Sequence, residues 1–148
     1  MKAVEAQVTL VRYTPAPEEL LAAAAKLCYA RDTEGLLDQD PDKAAPFIRN
    51  LIRMGHMSPM EHVTFTFLIE GVSRAMTHQL VRHRMASYSQ RSQRYVRLHE
   101  PKFVTPPSLS ATPSLRARFE GAVKDAFTRY SELVEAGVPE EDARYVLP

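Results

Sequence analysis

The sequence predicts one α+β domain that spans residues 1–148. Its length of 148 residues, with 45% hydrophobic and 25% charged residues, is typical of a single globular domain. Residues 3–13 and 63–69 alternate apolar and polar side chains, as strands with one buried face do. Residues 113–136 repeat apolar side chains every three or four positions, which predicts one long helix. We therefore expect a sheet flanked by helices.

Helix-start and helix-stop residues define the elements between the two predicted strands. An Ala- and Leu-rich stretch over residues 17–29 predicts a helix that buries Cys28 on its apolar side. Asp40 followed by Pro41 is typical of an N-cap and a first helical residue, and Gly55 is well placed to end the helix that they begin.

Downstream of the second strand the predicted elements are shorter, apart from the long helix. Ser73 is expected to cap a helix that runs to about His83. Residues 95–98 are expected to be extended, and the four prolines of residues 101–113 predict a connector without regular structure. A last helical turn is expected to begin at Pro139.

Composition and the N-terminal pattern limit the location of the protein. The single cysteine excludes an internal disulfide framework. The N-terminus carries no signal-peptide pattern, and no apolar run approaches the ~18–20 residues that a membrane-spanning helix needs. We therefore expect a cytoplasmic protein that has no membrane partner.

Positive charge is concentrated in residues 71–99, which we call the arginine segment. It contains six arginines, three of the five histidines and no acidic residue, whereas the rest of the chain has 13 basic and 18 acidic residues. Two explanations stay open: the arginines pair with carboxylates that are distant in sequence, or they bind an anionic ligand. The preference for arginine suits phosphate or carboxylate, because the planar guanidinium can bind either through two parallel hydrogen bonds.

A donor-rich face is predicted within the arginine segment. Gln79, Arg82 and His83 stand at positions i, i+3 and i+4 of the predicted helix, so they share one side of it, and Arg84 follows at its end. Such a face suits a phosphate and a heterocyclic base. The alternative is an ordinary solvated helix face.

The stretch over residues 82–95 combines hydroxyl, amide and guanidinium groups with few apolar side chains, which favours organisation around a polar ligand. It resembles the R-H-R-x-x-S…S-x-R signature of the flavin-dependent thymidylate synthases, the ThyX family. Serine stands at position 89, where the pattern has asparagine, a variation that also occurs within the family. The matching positions are Arg82, His83, Arg84, Ser87, Ser92 and Arg94.

Two further segments carry the same resemblance, so that it covers nearly the whole chain in the correct order. Residues 55–62, G-H-M-S-P-M-E-H, resemble the family's G-H-x-[TS]-P-x-E-H segment, which helps to hold the flavin. Residues 137–139 and 143–148 resemble its G-V-P…A-R-x-x-L-P segment. The resemblance implies a ThyX-type α+β fold with an antiparallel-rich central sheet.

The resemblance also implies an activity, a cofactor and an assembly. Members of the family methylate dUMP to dTMP, with methylenetetrahydrofolate as carbon donor and NADPH as reductant through bound FAD, as homotetramers with shared active sites. The implied dUMP contacts are Gln79, Leu80, Val81, Arg82, Gln90, Arg91, Ser92, Gln93, Arg94 and Arg144. The implied FAD contacts are His56, Ser58, Glu61, Arg82, His83, Arg84 and Gln90.

The resemblance leaves the catalytic residue unassigned. Chains of the family continue beyond the position of Pro148, and the arginine expected to help ionise the uracil ring lies in that part. We therefore expect the 148-residue chain to be C-terminally incomplete, with weak or absent turnover by itself. The predicted burial of Cys28 leaves no cysteine nucleophile, and Ser92 is expected to bind substrate rather than to attack it.

A nucleic-acid-binding module is the main alternative. It would use the arginines of residues 74–97 for phosphate contacts and Tyr88 and Tyr95 for base stacking. It does not explain the acidic remainder of the chain or residues 56–62, so no nucleic-acid partner is expected.

A metal site is not expected either. His56 and His62 are six positions apart and His78 and His83 five, neither of which is the i, i+4 spacing of a helical zinc motif. His78 and His99 are predicted to lie outside the site.

Overall fold

The computed structural model describes residues 2–98 and 100–148, so the expectation for His99 lies outside the described residues. The strands are β1 (Lys2–Ala3), β2 (Gln7–Tyr13), β3 (Phe65–Glu70) and β4 (Lys102–Phe103). The α-helices are α1 (Pro17–Leu27), α2 (Pro41–Arg53), α3 (Arg74–Leu80), α4 (Pro107–Ser110), α5 (Pro113–Glu135) and α6 (Glu140–Ala143). Two short 3-10 helices cover Ser58–His62 and Arg144–Val146. None of the described helices is both long and apolar enough to cross a membrane.

The α+β class and the long helix are confirmed, whereas the strands form two separate pairs in the described residues. β1 pairs with β4 in parallel, with Lys2 opposite Lys102 and Ala3 opposite Phe103, and β2 pairs with β3. The strand predicted over residues 3–13 is therefore divided. Its first part joins a strand about a hundred positions away, which a local alternation pattern cannot reveal.

The chain divides into two compact units. Unit one comprises Met1–Gln7 with Ile69–Pro148, and unit two comprises Val8–Leu68. The apolar side chains of β2 and β3 are exposed, although the alternation predicted a buried face for each strand. The most exposed of them are Val8 (62%), Tyr13 (56%) and Phe67 (53%).

Unit two contains the packed pair α1 and α2. Leu21 and Ala22 of α1 and Ile48 of α2 are buried. The predicted cap of α2 is confirmed, because the Asp40 side chain accepts a hydrogen bond from the backbone N–H of Asp42 at 3.0 Å.

The predicted end of α2 is confirmed as well. Gly55 has a φ of 79°, a left-handed conformation in which a side chain is strained. The N–H groups of Gly55 and His56 bond to the carbonyls of Ile52 and Leu51, which ends the helix and leads into the 3-10 helix Ser58–His62.

Unit one is centred on the long helix α5. Val123 and Tyr130 on α5 and Ala143 on α6 are its most buried apolar residues. Phe103 of β4 packs on Phe119 of α5, with ring centroids 6.2 Å apart. The core therefore holds the C-terminal turns, which include Arg144, against one face of α5.

Several local expectations are wrong, each for a physical reason. Residues 95–98 are a turn and irregular chain rather than a strand, and residues 101–113 contain β4 and α4 because prolines can begin a helix or stand beside a strand. Cys28 is exposed rather than buried, because α1 ends at Leu27 and the chain turns before Cys28 can join the helix's apolar side.

Candidate functional site

The helix α3 begins where the sequence predicts and ends sooner. The Ser73 hydroxyl accepts a hydrogen bond from the Met76 N–H at 3.1 Å, which confirms the N-cap. The helix ends at Leu80 rather than near His83. Beyond it, the N–H groups of Arg82 and His83 bond to carbonyls only three positions back, so tight turns replace the α-helical pattern.

The prediction that Gln79, Arg82 and His83 share one face of a helix is therefore wrong. Gln79 lies in the last turn of α3, whereas Arg82 and His83 lie in the turns that follow. Residues 82–84, which would form the missing helical turn, are Arg, His and Arg and offer no apolar side chain to bury, and packing of an apolar face is what stabilises a short helix. All three side chains remain exposed.

The chain that follows has little regular structure and is organised by its own side chains. The Tyr88 hydroxyl donates a hydrogen bond to the His83 carbonyl at 3.0 Å. The Ser92 hydroxyl oxygen accepts hydrogen bonds from the N–H groups of Arg94 and Tyr95, at 3.1 and 3.4 Å. The Ser92 turn therefore sets the direction in which the Arg94 side chain leaves the backbone.

Arg94 forms an ion pair that links the arginine segment to α6. Its Nε atom lies 2.6 Å from Oε2 of Glu141, and its guanidinium lies 5.6 Å from the ring centre of Tyr95. Across residues 2–98 and 100–148, no other arginine of the arginine segment has a carboxylate within 4.0 Å. Pairing with distant acids thus accounts for one of the six arginines in the described chain.

Arg144 is the second arginine of this region whose side chain has partners in the described structure. It donates a hydrogen bond to the carbonyl of Val96, and its guanidinium lies 5.9 Å from the ring centre of Tyr130. The Tyr130 hydroxyl in turn accepts a hydrogen bond from the N–H of Leu98 at 3.5 Å. The Nε atom of Arg144 is buried and has no partner among the described residues. Arg144 and Tyr130 therefore brace the end of the arginine segment against α5.

These contacts border a cavity of about 440 Å³ within unit one. Two guanidinium groups and two carboxylates meet in its wall, so their formal charges balance and the cavity offers hydrogen-bond donors and acceptors to a polar ligand. Its lining residues are Gln93, Arg94, Glu141, Asp142, Arg144 and Tyr145.

Three of the predicted dUMP contacts, Gln93, Arg94 and Arg144, thus lie around one cavity, although 50 positions separate the first arginine from the second. The other predicted contacts of unit one lie on α3 and on the exposed chain after it, outside the lining of this cavity. They are Gln79, Leu80, Val81, Arg82, His83, Arg84, Gln90, Arg91 and Ser92.

His56, Ser58 and Glu61 belong to unit two. His56 closes the turn at the end of α2, while Ser58 and Glu61 lie on the 3-10 helix that follows. All three side chains are exposed. The turn at Gly55 thus places these polar groups within a short, regular segment.

Glu141, Asp142 and Tyr145 line the cavity and are absent from the predicted site. The sequence carried a signal for them. Residues 140–142 are three consecutive acidic residues, and they stand just before residues 143–148, the family-like segment that contains Arg144. Because Glu141 lies 47 positions from Arg94, the sequence alone did not reveal their ion pair.

The family is decided by comparison with known proteins. A family model described as "Thymidylate synthase complementing protein" (Thy1) matches residues 9–148. The chain belongs to this family. The resemblance drawn from residues 82–94 and from the two flanking segments is thereby confirmed.

Relatives within the family are similar along almost the whole chain. The "Flavin-dependent thymidylate synthase" of Geobacter sulfurreducens is 47% identical over 146 residues, which are 96% of this chain and 63% of that protein. The protein of the same name from Clostridium tetani is 41% identical over 165 residues, covering 99% of this chain and 66% of that protein. The chain therefore spans less than two thirds of the length of these curated relatives.

Solved structures show the same fold. The crystal structure of a UMP/dUMP methylase PolB from Streptomyces cacaoi, bound with 5-Br dUMP, matches with a TM-score of 0.84 at 26% identity. The match covers 100% of this chain and 70% of that one. The same methylase bound with 5-Br UMP matches with a TM-score of 0.79. The ThyX-type fold that the sequence predicted is thus confirmed.

Proposed function

We propose that the chain is the nucleotide- and flavin-binding part of an enzyme that methylates dUMP to dTMP. The carbon donor is methylenetetrahydrofolate and the reductant is NADPH, with FAD as cofactor, and residues 1–148 act as one thymidylate synthase domain. The observation that carries the proposal is the convergence of Gln93, Arg94 and Arg144 on one cavity, since all three lie in segments that match the family. The dUMP analogue bound to the Streptomyces methylase supports the same substrate class.

In this proposal Arg94 binds the phosphate of dUMP. Its side chain is 65% exposed and can therefore reach an incoming ligand. Ser92 uses its oxygen to accept two backbone N–H groups, so that its hydroxyl hydrogen is free to donate to the nucleotide. Arg144 adds a second positive charge at the cavity, held in place by Val96 and Tyr130.

The remaining proposed dUMP contacts bind the sugar and base from the exposed chain that begins at α3. Amide and guanidinium side chains there supply donors and acceptors for the edge of a heterocyclic ring. These contacts are Gln79, Leu80, Val81, Arg82, Gln90, Arg91 and Gln93.

The described residues fit a flavin dinucleotide through the chemistry of their donors. Arg82, His83 and Arg84 are three consecutive exposed donors, and among the described residues neither arginine has a carboxylate within 4.0 Å. Such a set binds a pyrophosphate, which is anionic and accepts hydrogen bonds. We propose that Gln90 also contacts FAD, together with His56, Ser58 and Glu61 of unit two.

Bound FAD supplies the reducing electrons that the methylation needs. The chain's own part is to orient dUMP and to place positive charge near the anionic groups of substrate and cofactor. The exposed Cys28 is absent from the lining of the cavity, so the proposal assigns it no catalytic role.

We further propose that the protein works as a cytoplasmic homotetramer with shared active sites. The exposed apolar side chains of β2 and β3, which include Val8, Tyr13 and Phe67, support assembly, because contiguous exposed apolar surface marks interaction sites. Size-exclusion chromatography with light scattering tests the state, and a monomer at micromolar concentration contradicts it.

The proposed function is tested on purified protein supplied with FAD. We expect the visible absorption of bound flavin and a change in that spectrum when dUMP is added. Arg84→Ala should weaken FAD binding, whereas Arg97→Ala, an exposed arginine of the same segment outside the proposed site, should not.

Protein that never binds flavin, or that binds flavin without any response to dUMP, contradicts the proposal. Salt-sensitive binding to random single-stranded DNA without a flavin response favours the nucleic-acid-binding alternative instead.

A further inference from the structure

The ion pair between Arg94 and Glu141 places a carboxylate on the guanidinium that we propose for the phosphate of dUMP. The Nε to Oε2 distance is 2.6 Å, and both side chains line the same cavity. A guanidinium uses the same N–H groups to bind a carboxylate or a phosphate. Glu141 and an incoming phosphate therefore compete for one side chain.

The exposure of the pair makes such an exchange easy. The Arg94 and Glu141 side chains are 65% and 45% exposed, so neither charge becomes stranded in an apolar interior when the pair opens. Exposed ion pairs contribute little stability, whereas a phosphate dianion brings about twice the charge of a carboxylate and three acceptor oxygens. The phosphate should win the competition.

We propose that Glu141 is an internal stand-in for phosphate, a positioning residue that holds Arg94 at the cavity and releases it to the nucleotide. This inference rests on the proposed function. Glu141 lies on α6, three positions before Arg144, and α6 packs against α5. Because α6 holds its backbone there, the Glu141 carboxylate has to be displaced from Arg94 before the phosphate can bind that guanidinium. Glu141 thus keeps Arg94 ordered and lowers the affinity for the phosphorylated ligand.

The inference predicts how nucleotide affinity changes when the charge of Glu141 is removed. Glu141→Gln keeps the size of the side chain and abolishes the competing charge. We expect dUMP to bind about 1.5- to 5-fold more tightly, the range that corresponds to an exposed ion pair. Deoxyuridine lacks the phosphate and should bind the wild type and the variant equally.

The experiment is isothermal titration of FAD-saturated protein with dUMP at fixed ionic strength. Asp142→Asn is the matched control, because Asp142 lines the same cavity and forms no ion pair with Arg94 in the described structure. We expect a smaller gain for Asp142→Asn than for Glu141→Gln. In an Arg94→Ala background, Glu141→Gln should no longer change the affinity for dUMP. Circular dichroism verifies that each variant is folded.

The inference is overturned, while the proposed function stands, by unchanged or weaker dUMP binding of folded Glu141→Gln or by equal gains for Glu141→Gln and Asp142→Asn. A Glu141→Gln effect that persists in the Arg94→Ala background also overturns it. Absence of dUMP binding by the wild type and every variant overturns the proposed function, and the inference with it.

Discussion

Arg144 gives the sharpest prediction about stability, because one side chain makes two contacts that hold the end of the arginine segment. Its guanidinium donates a hydrogen bond to the part-buried carbonyl of Val96 and lies 5.9 Å from the ring centre of Tyr130. Arg144→Met keeps most of the side chain's length and apolar contact but removes both the donor and the charge.

The magnitude follows from these two contacts. A hydrogen bond to a charged group contributes about 1.5–3 kcal/mol, and a cation over an aromatic ring about 0.5–1 kcal/mol where solvent is near. The two terms share one side chain and are not additive, so we expect Arg144→Met to lower the free energy of unfolding by about 2–3 kcal/mol. Tyr130 is only 2% exposed, so its ring cannot turn outward to relieve the loss.

Urea denaturation followed by circular dichroism, without nucleotide, measures the effect. Arg116→Met is the matched control: Arg116 pairs with Glu120 on the surface of α5, and its loss should cost at most about 0.5 kcal/mol. Arg144→Lys should fall between Arg144→Met and the wild type, because it keeps a donor without the planar guanidinium. Equal losses for Arg144→Met and Arg116→Met refute the reasoning.

Two further substitutions and one change of pH test the fold. Gly71→Ala should cost about 2–4 kcal/mol of unfolding free energy, since φ is 65° and a new Cβ lies 1.9 Å from the carbonyl oxygen of Glu5. Ser73→Ala should cost about 1 kcal/mol through loss of the α3 cap, as measured in urea. The hydrogen bond from the Lys43 side chain lowers the pKa of Asp40 below its ordinary 3.8. The stability that the ionised Asp40 contributes is therefore present above pH 3.8 and is lost as the pH falls through the lowered pKa.

Each of these predictions has a matched comparison. Gly55 has a similar φ of 79° but open space around it, so Gly55→Ala should cost only about 1 kcal/mol. An equal loss at Gly55 and Gly71 contradicts the predicted clash. Ser73→Asp should retain the cap, and a loss as large as that of Ser73→Ala argues against capping. Asp40→Asn should reduce the fall in the free energy of unfolding at acid pH. An unchanged pH dependence contradicts the role of Asp40.

Local chemistry made much of the fold predictable. The Asp40 cap, the Gly55 stop and the long helix that begins at Pro113 depend on residues adjacent in sequence, and the structure confirms all three. The short helix after Ser73 was predicted too long, because its end depends on what the side chains beyond Leu80 can pack against.

The arrangement of distant segments was less accessible. The pairing of β1 with β4 joins strands of two residues each, far too short for an alternation pattern to identify. The exposure of Cys28 depends on where α1 ends and how the chain turns afterwards. Glu141 was missed for the same reason, since its partner Arg94 lies 47 positions away.

The predicted site came from residues that match the family's segments, and the geometry added which of them lie around one cavity. The sequence motifs predicted Arg94 and Arg144 as nucleotide contacts without showing that they border one cavity. The contact of Arg144 with Tyr130 joins that cavity to the core of α5, so the side chain proposed to bind dUMP also holds the fold together.

The affinity of FAD-saturated protein for dUMP, with Arg94→Ala compared to Arg97→Ala, tests the central claim most directly. Loss of a charge-assisted hydrogen bond at Arg94 should weaken dUMP binding about 10- to 100-fold, with FAD binding changed less than twofold. Arg97 is exposed in the same segment but outside the cavity, so Arg97→Ala should change neither affinity by more than about twofold. Equal losses of dUMP affinity in the two variants, or an equal loss of FAD affinity in Arg94→Ala, contradict a phosphate site at Arg94.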